Sequence, residues 1–156
     1  MTLQSRAPGP TRRLMTELLG FSQVNEAGDR VRMSIGGGEA GNVVDILDAS
    51  GAAPARNGLG TVHHVAFAVS DEAEQLRLRE ELIRRGLAVT EVLDRCYFRS
   101  IYFREPGGVL FEVATTKPGF TIDEDVRSLG SALRLPPWEE GNRPEIERVL
   151  SPVNPS

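Results

Sequence analysis

Cysteine occurs once in these 156 residues, at Cys96, and histidine only twice, as the adjacent pair His63 and His64. A single cysteine excludes an internal disulfide and suits a reducing compartment, so a cytoplasmic protein is expected. Cys96 itself reads as a small buried hydrophobe rather than a reactive thiol. No apolar run approaches the roughly 18 to 20 residues of a membrane helix, and no signal-peptide core opens the chain. Cationic charge is also short. The 18 Lys and Arg against 22 Asp and Glu leave a net charge of −4, which argues against nucleic acid or an anionic membrane as partner. Aromatics make up 6%, with one tryptophan, Trp138, expected to anchor a C-terminal tail. With 40% hydrophobic and 26% charged residues, the length suits one domain with a real core.

What is present is organised around two strands. Gly60–Val69 and Gly107–Ala114 are rich in Val and aromatics, and each divides its side chains the same way. Val65, Phe67 and Val69 share one face, against His64, Ala66 and Ala68. Val109, Phe111 and Val113 share another, against Leu110, Glu112 and Ala114. Each strand therefore has a bulky face for packing under helices and a face of mostly small residues, carrying one ligand-type group, for a cavity wall. The strand from Tyr97 to Arg104 sets Ile101 and Phe103 against Ser100 and Tyr102. A loop at Pro106-Gly107-Gly108 would put residue 105 opposite 109, and so Tyr102 opposite Glu112.

The rest of the chain repeats itself. A strand remnant at residues 2–6 is followed by a helix opened by Gly9-Pro10, striped with Leu14, Met15, Leu18 and Leu19 and stopped by Gly20. Phe21–Asn25 and Arg30–Ser34 read as a hairpin around Gly28, and Asn42–Asp48 as the next strand. After a linker at 49–60, the pattern recurs. Ser70 caps a helix from Asp71 to Arg85, with Ala73, Leu76, Leu82 and Ile83 inward and Gly86 as its stop. Strands near 87–94, 97–104 and 109–115 complete it.

The fold class is therefore α+β. Two tandem βαβββ units form a cup-shaped, mixed or antiparallel sheet with outer helices. The domain spans residues 1–118, with units at 1–48 and 61–115, and a tail at 119–156 packs on it. Within the tail, Val126–Leu135 has a short apolar pattern and Pro144–Leu150 a short helix, while the last few residues are expected to be disordered. Matching Gly41 to Gly107 places Ile46, not Asp45, where Glu112 stands, so the first unit is expected to lack metal ligands. The equivalent of His64 falls ahead of Met1, as though the chain began inside its first strand.

A His and a Glu on neighbouring inner walls, with a Tyr opposite, suit a divalent Fe, Mn or Zn site. The competing account is a hydrogen-bonded histidine near a cup wall, with Glu112 paired to Arg99 or Arg104. Small-residue parity favours His64 as the ligand and leaves His63 for a supporting hydrogen bond or a core role.

Gly60–Phe67, the block Asp94–Ala114 and Leu135-Pro136-Pro137-Trp138 resemble the C-terminal half of hydroquinone-type ring-cleaving dioxygenases. These belong to the glyoxalase/bleomycin-resistance/extradiol, or vicinal oxygen chelate, superfamily. The resemblance covers nearly the whole chain. It implies a non-haem Fe(II), or Mn(II) in its place, held by two His and one Glu. His64 and Glu112 would be ligands, His63 and Arg95 outer-sphere partners, and Tyr102 a group facing an aromatic diol and O₂. It also implies a preceding half supplying the third ligand, a histidine that is absent here, so two of three ligands are expected in this chain. A homodimer, or pairing with that missing N-terminal half, follows. Two other functions fit the cup: a module that binds a small aromatic without turning it over, and a glyoxalase-like metalloenzyme assembled across a dimer.

Overall fold

The computed structural model describes residues 1–56 and 58–151. Asn57 of the linker and 152–156 of the expected tail lie outside them. Two βαβββ units are present, each with its own four-stranded sheet. The first runs β1 (Thr2–Ser5), α1 (Pro8–Glu17), β2 (Ser22–Ala27), β3 (Arg30–Ser34) and β4 (Val43–Asp48), in the sheet order β1-β4-β3-β2. The second runs β5 (Val65–Val69), α2 (Glu72–Arg84), β6 (Leu93–Asp94), β7 (Arg99–Arg104) and β8 (Leu110–Thr115), in the order β5-β8-β7-β6. In both units the first strand runs parallel to the last, and the remaining pairs are antiparallel. A parallel pair needs a long crossover, which the helix of each unit supplies.

Local chemistry sets the helix ends. Prolines at positions 8 and 10 occupy the first turn of α1, where a missing N–H costs nothing. Gly20, at φ +72°, turns the chain back so that the Phe21 amide donates to the Met15 carbonyl at 3.1 Å. In α2 the cap is Asp71 rather than Ser70. The Asp71 carboxylate accepts from the Glu74 amide at 2.8 Å, whereas the Ser70 hydroxyl donates to the Glu74 carboxylate. The inward face of α2 also differs from expectation. Ala73, Leu76 and Ile83 are exposed, while Gln75 and Leu82 are fully buried. Gln75 earns its place through hydrogen bonds: its Nε2 donates to the carbonyls of Arg99 and Val113, both at 2.8 Å, tying helix to sheet.

The bulky strand faces form the core. Val65, Val69, Ile101, Phe103, Phe111 and Val113 are buried with Met15, Met33, Val44 and Ile46. Phe67 meets Phe111 at 4.9 Å and Phe21 at 5.8 Å between ring centroids, so one apolar cluster spans both units. A polar junction reinforces it. Glu105, 2% exposed, accepts from the Thr11 hydroxyl and from the amides of Gly107 (2.8 Å) and Val109 (2.9 Å). The Ser5 hydroxyl lies 2.7 Å from that of Thr11. Gly107 passes so close that a Cβ there would overlap Ser5 Oγ.

Two strands are shorter than the pattern suggested. The segment 87–94 keeps one bridge, Val89 to Phe103, and the two residues of β6. The next strand starts at Arg99, because Arg95–Phe98 turns the chain, with Cys96 at φ +67° and its amide donating to the Asp94 carboxylate. Beyond β8, Phe120 packs on Tyr97 with centroids 4.9 Å apart, and α3 (Arg143–Val149) follows. Trp138 is 62% exposed, so it does not anchor the tail on this chain, and Val126, Leu129 and Leu133 also face outward.

Candidate metal centre

The site lies where β5 begins and where β7 and β8 run side by side. The strand expected from Gly60 starts only at Val65, so His63 and His64 sit in the approach to it. The parallel register sets Ala66 beside Glu112, and the antiparallel register sets Tyr102 directly opposite Glu112, as the hairpin loop predicted. Because side chains alternate, Glu112 leaves the core face that Phe111 and Val113 occupy and meets His64. His64 Nε2 and Glu112 Oε2 are 2.7 Å apart. The His64 side chain is 34% exposed and that of Glu112 4%.

The other carboxylate oxygen is occupied. The Tyr102 phenol donates to Glu112 Oε1 at 2.8 Å, and the Ser100 hydroxyl donates to the same atom. Nδ1 of His63 and Nδ1 of His64 are 2.9 Å apart, so one ring donates and the other accepts. The His64 ring meets the Tyr102 ring edge-on, with centroids 5.7 Å apart. The Arg95 guanidinium stands over that phenol, 5.4 Å from its centroid. All five residues singled out in the sequence thus form one connected chain of contacts. Glu112 is paired with neither arginine considered for it. Arg99 binds Glu72 at 2.8 Å, and Arg104 donates to the Gly108 carbonyl at 2.9 Å.

Ser100 was the omission. It is fully buried and shares the face of Tyr102, so the alternation already placed it toward Glu112. The small hydroxyl gave no signal by residue type.

The donor set fits a divalent cation. Nε2 of His64 and Oε2 of Glu112 face each other, and the remaining atoms of both groups are held by other side chains, as outer hydrogen bonds usually hold metal ligands. Among the described residues no cluster of three or more His, Cys, Asp or Glu side chains forms such a site.

The first unit carries the same position with another outcome. Asp45, not Ile46, is the counterpart of Glu112. Asp45 pairs with Thr2 on β1 as Glu112 pairs with Ala66 on β5, and it faces Arg32 as Glu112 faces Tyr102. Ile46 belongs to the core, because the loop entering β4 is one residue out of step with the glycine match. Arg32 donates to both Asp45 oxygens (2.7 and 3.0 Å) and Arg30 to one (3.0 Å). These bonds, the Arg32 bond foremost, hold the Asp45 carboxyl well below the usual carboxylate range.

With this geometry in place, residues 4–113 match the Glyoxalase/Bleomycin resistance protein/Dioxygenase superfamily, and the chain belongs to it. It is 41% identical over 151 residues to a Bacillus subtilis protein named "Putative ring-cleaving dioxygenase MhqO", covering 97% of this chain and 48% of that one. It is 40% identical over 129 residues to the chlorohydroquinone/hydroquinone 1,2-dioxygenase of Sphingobium indicum, covering 80% of this chain and 39% of the relative. The crystal structure of a Bacillus subtilis protein described as a "putative dioxygenase" superposes with a TM-score of 0.87 at 40% identity, covering 98% of this chain and 49% of that one. A glyoxalase/bleomycin resistance/dioxygenase domain from Frankia sp. EAN1pec shares the fold alone, with a TM-score of 0.62 at 18% identity over 76% of this chain and 90% of that one. The chain spans about half the length of the curated relatives it matches. Among the described residues no helix is long and apolar enough to cross a membrane.

Proposed function

We propose that this chain is the part of a metal-dependent ring-cleaving dioxygenase, acting on hydroquinone or a related aromatic diol with O₂, that carries two of its three metal ligands. The observation that carries the reading is the His64–Glu112 pair at 2.7 Å, backed by Tyr102 and Ser100. His64 and Glu112 are assigned as ligands of Fe(II), or of Mn(II) in its place, because imidazole nitrogen and carboxylate oxygen suit these ions. Bound there, the metal would supply the redox chemistry that joins an electron-rich ring to O₂. His63 orients the His64 ring through the Nδ1 contact. Tyr102 stands at the carboxylate and gives its one phenol hydrogen to Oε1, so its oxygen is left to accept a hydrogen bond from a substrate hydroxyl beside Glu112 and orient it. Arg95 keeps that phenol in place and adds positive charge at the rim.

Two donors in this chain, together with its coverage of about half of each relative, support a site completed by a third protein donor. We assign that donor to a second pair of βαβββ units, and expect a dimer or a longer polypeptide in the cytoplasm. The test loads Fe(II) under argon, then measures O₂ uptake with hydroquinone and with catechol as the vicinal-diol control. Both this chain and a fusion to the N-terminal half of MhqO are assayed. Uptake by the fusion, lost on Glu112→Ala, is the expected result. A fusion holding one iron per chain without uptake would overturn the dioxygenase reading. Brisk uptake by the present chain alone, at one iron each, would overturn the shared site.

A further inference from the structure

The linker between the units roofs a cavity that the metal centre does not account for. Its volume is about 550 Å³, within the usual range of small-molecule pockets. The floor is the 104–110 turn, one wall is β1 with the residues after it, and the other side is the alanine-rich linker. Val62, Val109 and Leu110 give apolar surface, and His63 reaches the cavity from the side of the metal centre. Two guanidiniums, Arg6 and Arg104, also line it, and no Asp or Glu does among the described lining residues.

Both arginines are pinned but not neutralised. Arg104 donates to the Gly108 carbonyl at 2.9 Å and Arg6 to the Ala52 carbonyl at 3.2 Å. Neither has a carboxylate within ion-pair distance among the described residues. Among the described residues ten other arginines are ion-paired, including Arg30 and Arg32 with Asp45, Arg79 with Glu91, Arg85 with Glu17 and Glu81, and Arg143 with Glu140. Here two guanidiniums without a carboxylate partner line one cavity beside apolar side chains. A planar guanidinium anchored by one edge presents its remaining donors in a fork that matches a carboxylate.

We propose that this cavity is an anion subsite, in which Arg104, assisted by Arg6, binds the carboxylate of an aromatic acid. The ring lies against Val62, Val109 and Leu110, with its far edge toward His63. The inference takes the aromatic substrate from the proposed function and narrows it to diols bearing an acidic substituent, with Arg104 setting the specificity.

The test uses the full chain without metal, under argon, and calorimetric titration with two ligands of matched shape, 2,5-dihydroxybenzoate and its neutral amide. The acid is expected to bind at least about tenfold more tightly than the amide, a difference of about 1.4 kcal/mol. That preference should fall as NaCl is raised. Arg104→Gln should bring the acid-to-amide ratio close to one, and Arg104→Lys should retain part of it. Arg6→Gln, a change on an exposed side chain, provides a second variant if Arg104→Gln melts early. Loss of the preference in Arg104→Gln, or in Arg6→Gln where Arg104→Gln does not fold, supports the subsite. An unaltered chain that binds acid and amide equally, or a preference that survives both glutamine variants, overturns it. Because no metal or oxygen is present, a failure here leaves the dioxygenase reading standing, and absent O₂ uptake leaves this binding standing.

Discussion

Tyr102 stands directly opposite Glu112 across the β7–β8 ladder and donates its phenol hydrogen to Oε1 at 2.8 Å, leaving Oε2 to His64. The two carboxylate oxygens thus have separate partners. Glu112→Ala or His64→Ala deletes a direct donor and should abolish binding of Mn(II) or Fe(II), read by calorimetry or by the loss of free Mn(II) paramagnetic signal. Tyr102→Phe removes only a hydrogen bond to the carboxylate and should keep the metal. Equal loss of metal in all three variants would make Tyr102 a ligand.

Ser100→Ala should weaken Mn(II) binding by roughly 10- to 100-fold, the usual effect of removing an outer partner of a ligand. The hydroxyl is buried and its acceptor is a buried carboxylate oxygen, so no water replaces it readily. A Kd unchanged within twofold would show that Tyr102 alone orients Glu112.

Gly107→Ala should destabilise the chain by roughly 1–3 kcal/mol, because its Cβ would overlap Ser5 Oγ and come within 2.7 Å of Glu105 Oε1. The clash lies between the two units, so Ser5→Gly in the same chain should recover part of the loss. Urea midpoints of the two single variants and the double variant check this. Strict additivity would mean that the two residues do not collide.

Acid should loosen the first unit through Asp45. The Arg32 hydrogen bonds, then that of Arg30, lower its carboxyl below the ordinary value of about 3.9. The unfolded chain therefore takes up the Asp45 proton first as pH falls. Its stabilising contribution is complete above about pH 5 and declines as pH drops toward the lowered value. Both arginines are about half exposed, so salt should shrink the effect. Asp45→Asn should lose stability at pH 7 and show a smaller drop between pH 7 and pH 3 than the parent. An identical pH dependence would remove Asp45 from the acid response.

Periodicity and punctuation made most of this architecture legible. Alternation along 65–69 and 109–114 separated the core face from the site face, and the Pro106-Gly107-Gly108 turn fixed which residue opposes Glu112. What the pattern missed was decided by partners distant in sequence. Gln75 is polar, yet it is buried because two strand carbonyls need its amide. Leu76 and Ile83 have the composition of a core stripe but lie off the narrow face that α2 presents to the sheet. The Ile46 assignment failed through one residue of loop length, to which a glycine match is blind. Trp138 offered bulk without any information about what it would touch.

The two units place a carboxylate at the same strand position and give it opposite ionic fates. Asp45 faces Arg32 and closes a local circuit in which a cation would have to displace two guanidiniums. Glu112 faces Tyr102, whose neutral hydroxyl orients the carboxylate without cancelling it, so its negative charge remains available to whatever approaches beside His64. The difference is thus made not by the acidic residue, which both units possess, but by what β3 and β7 set around it: the guanidiniums of Arg32 and Arg30 at Asp45, a neutral phenol at Glu112.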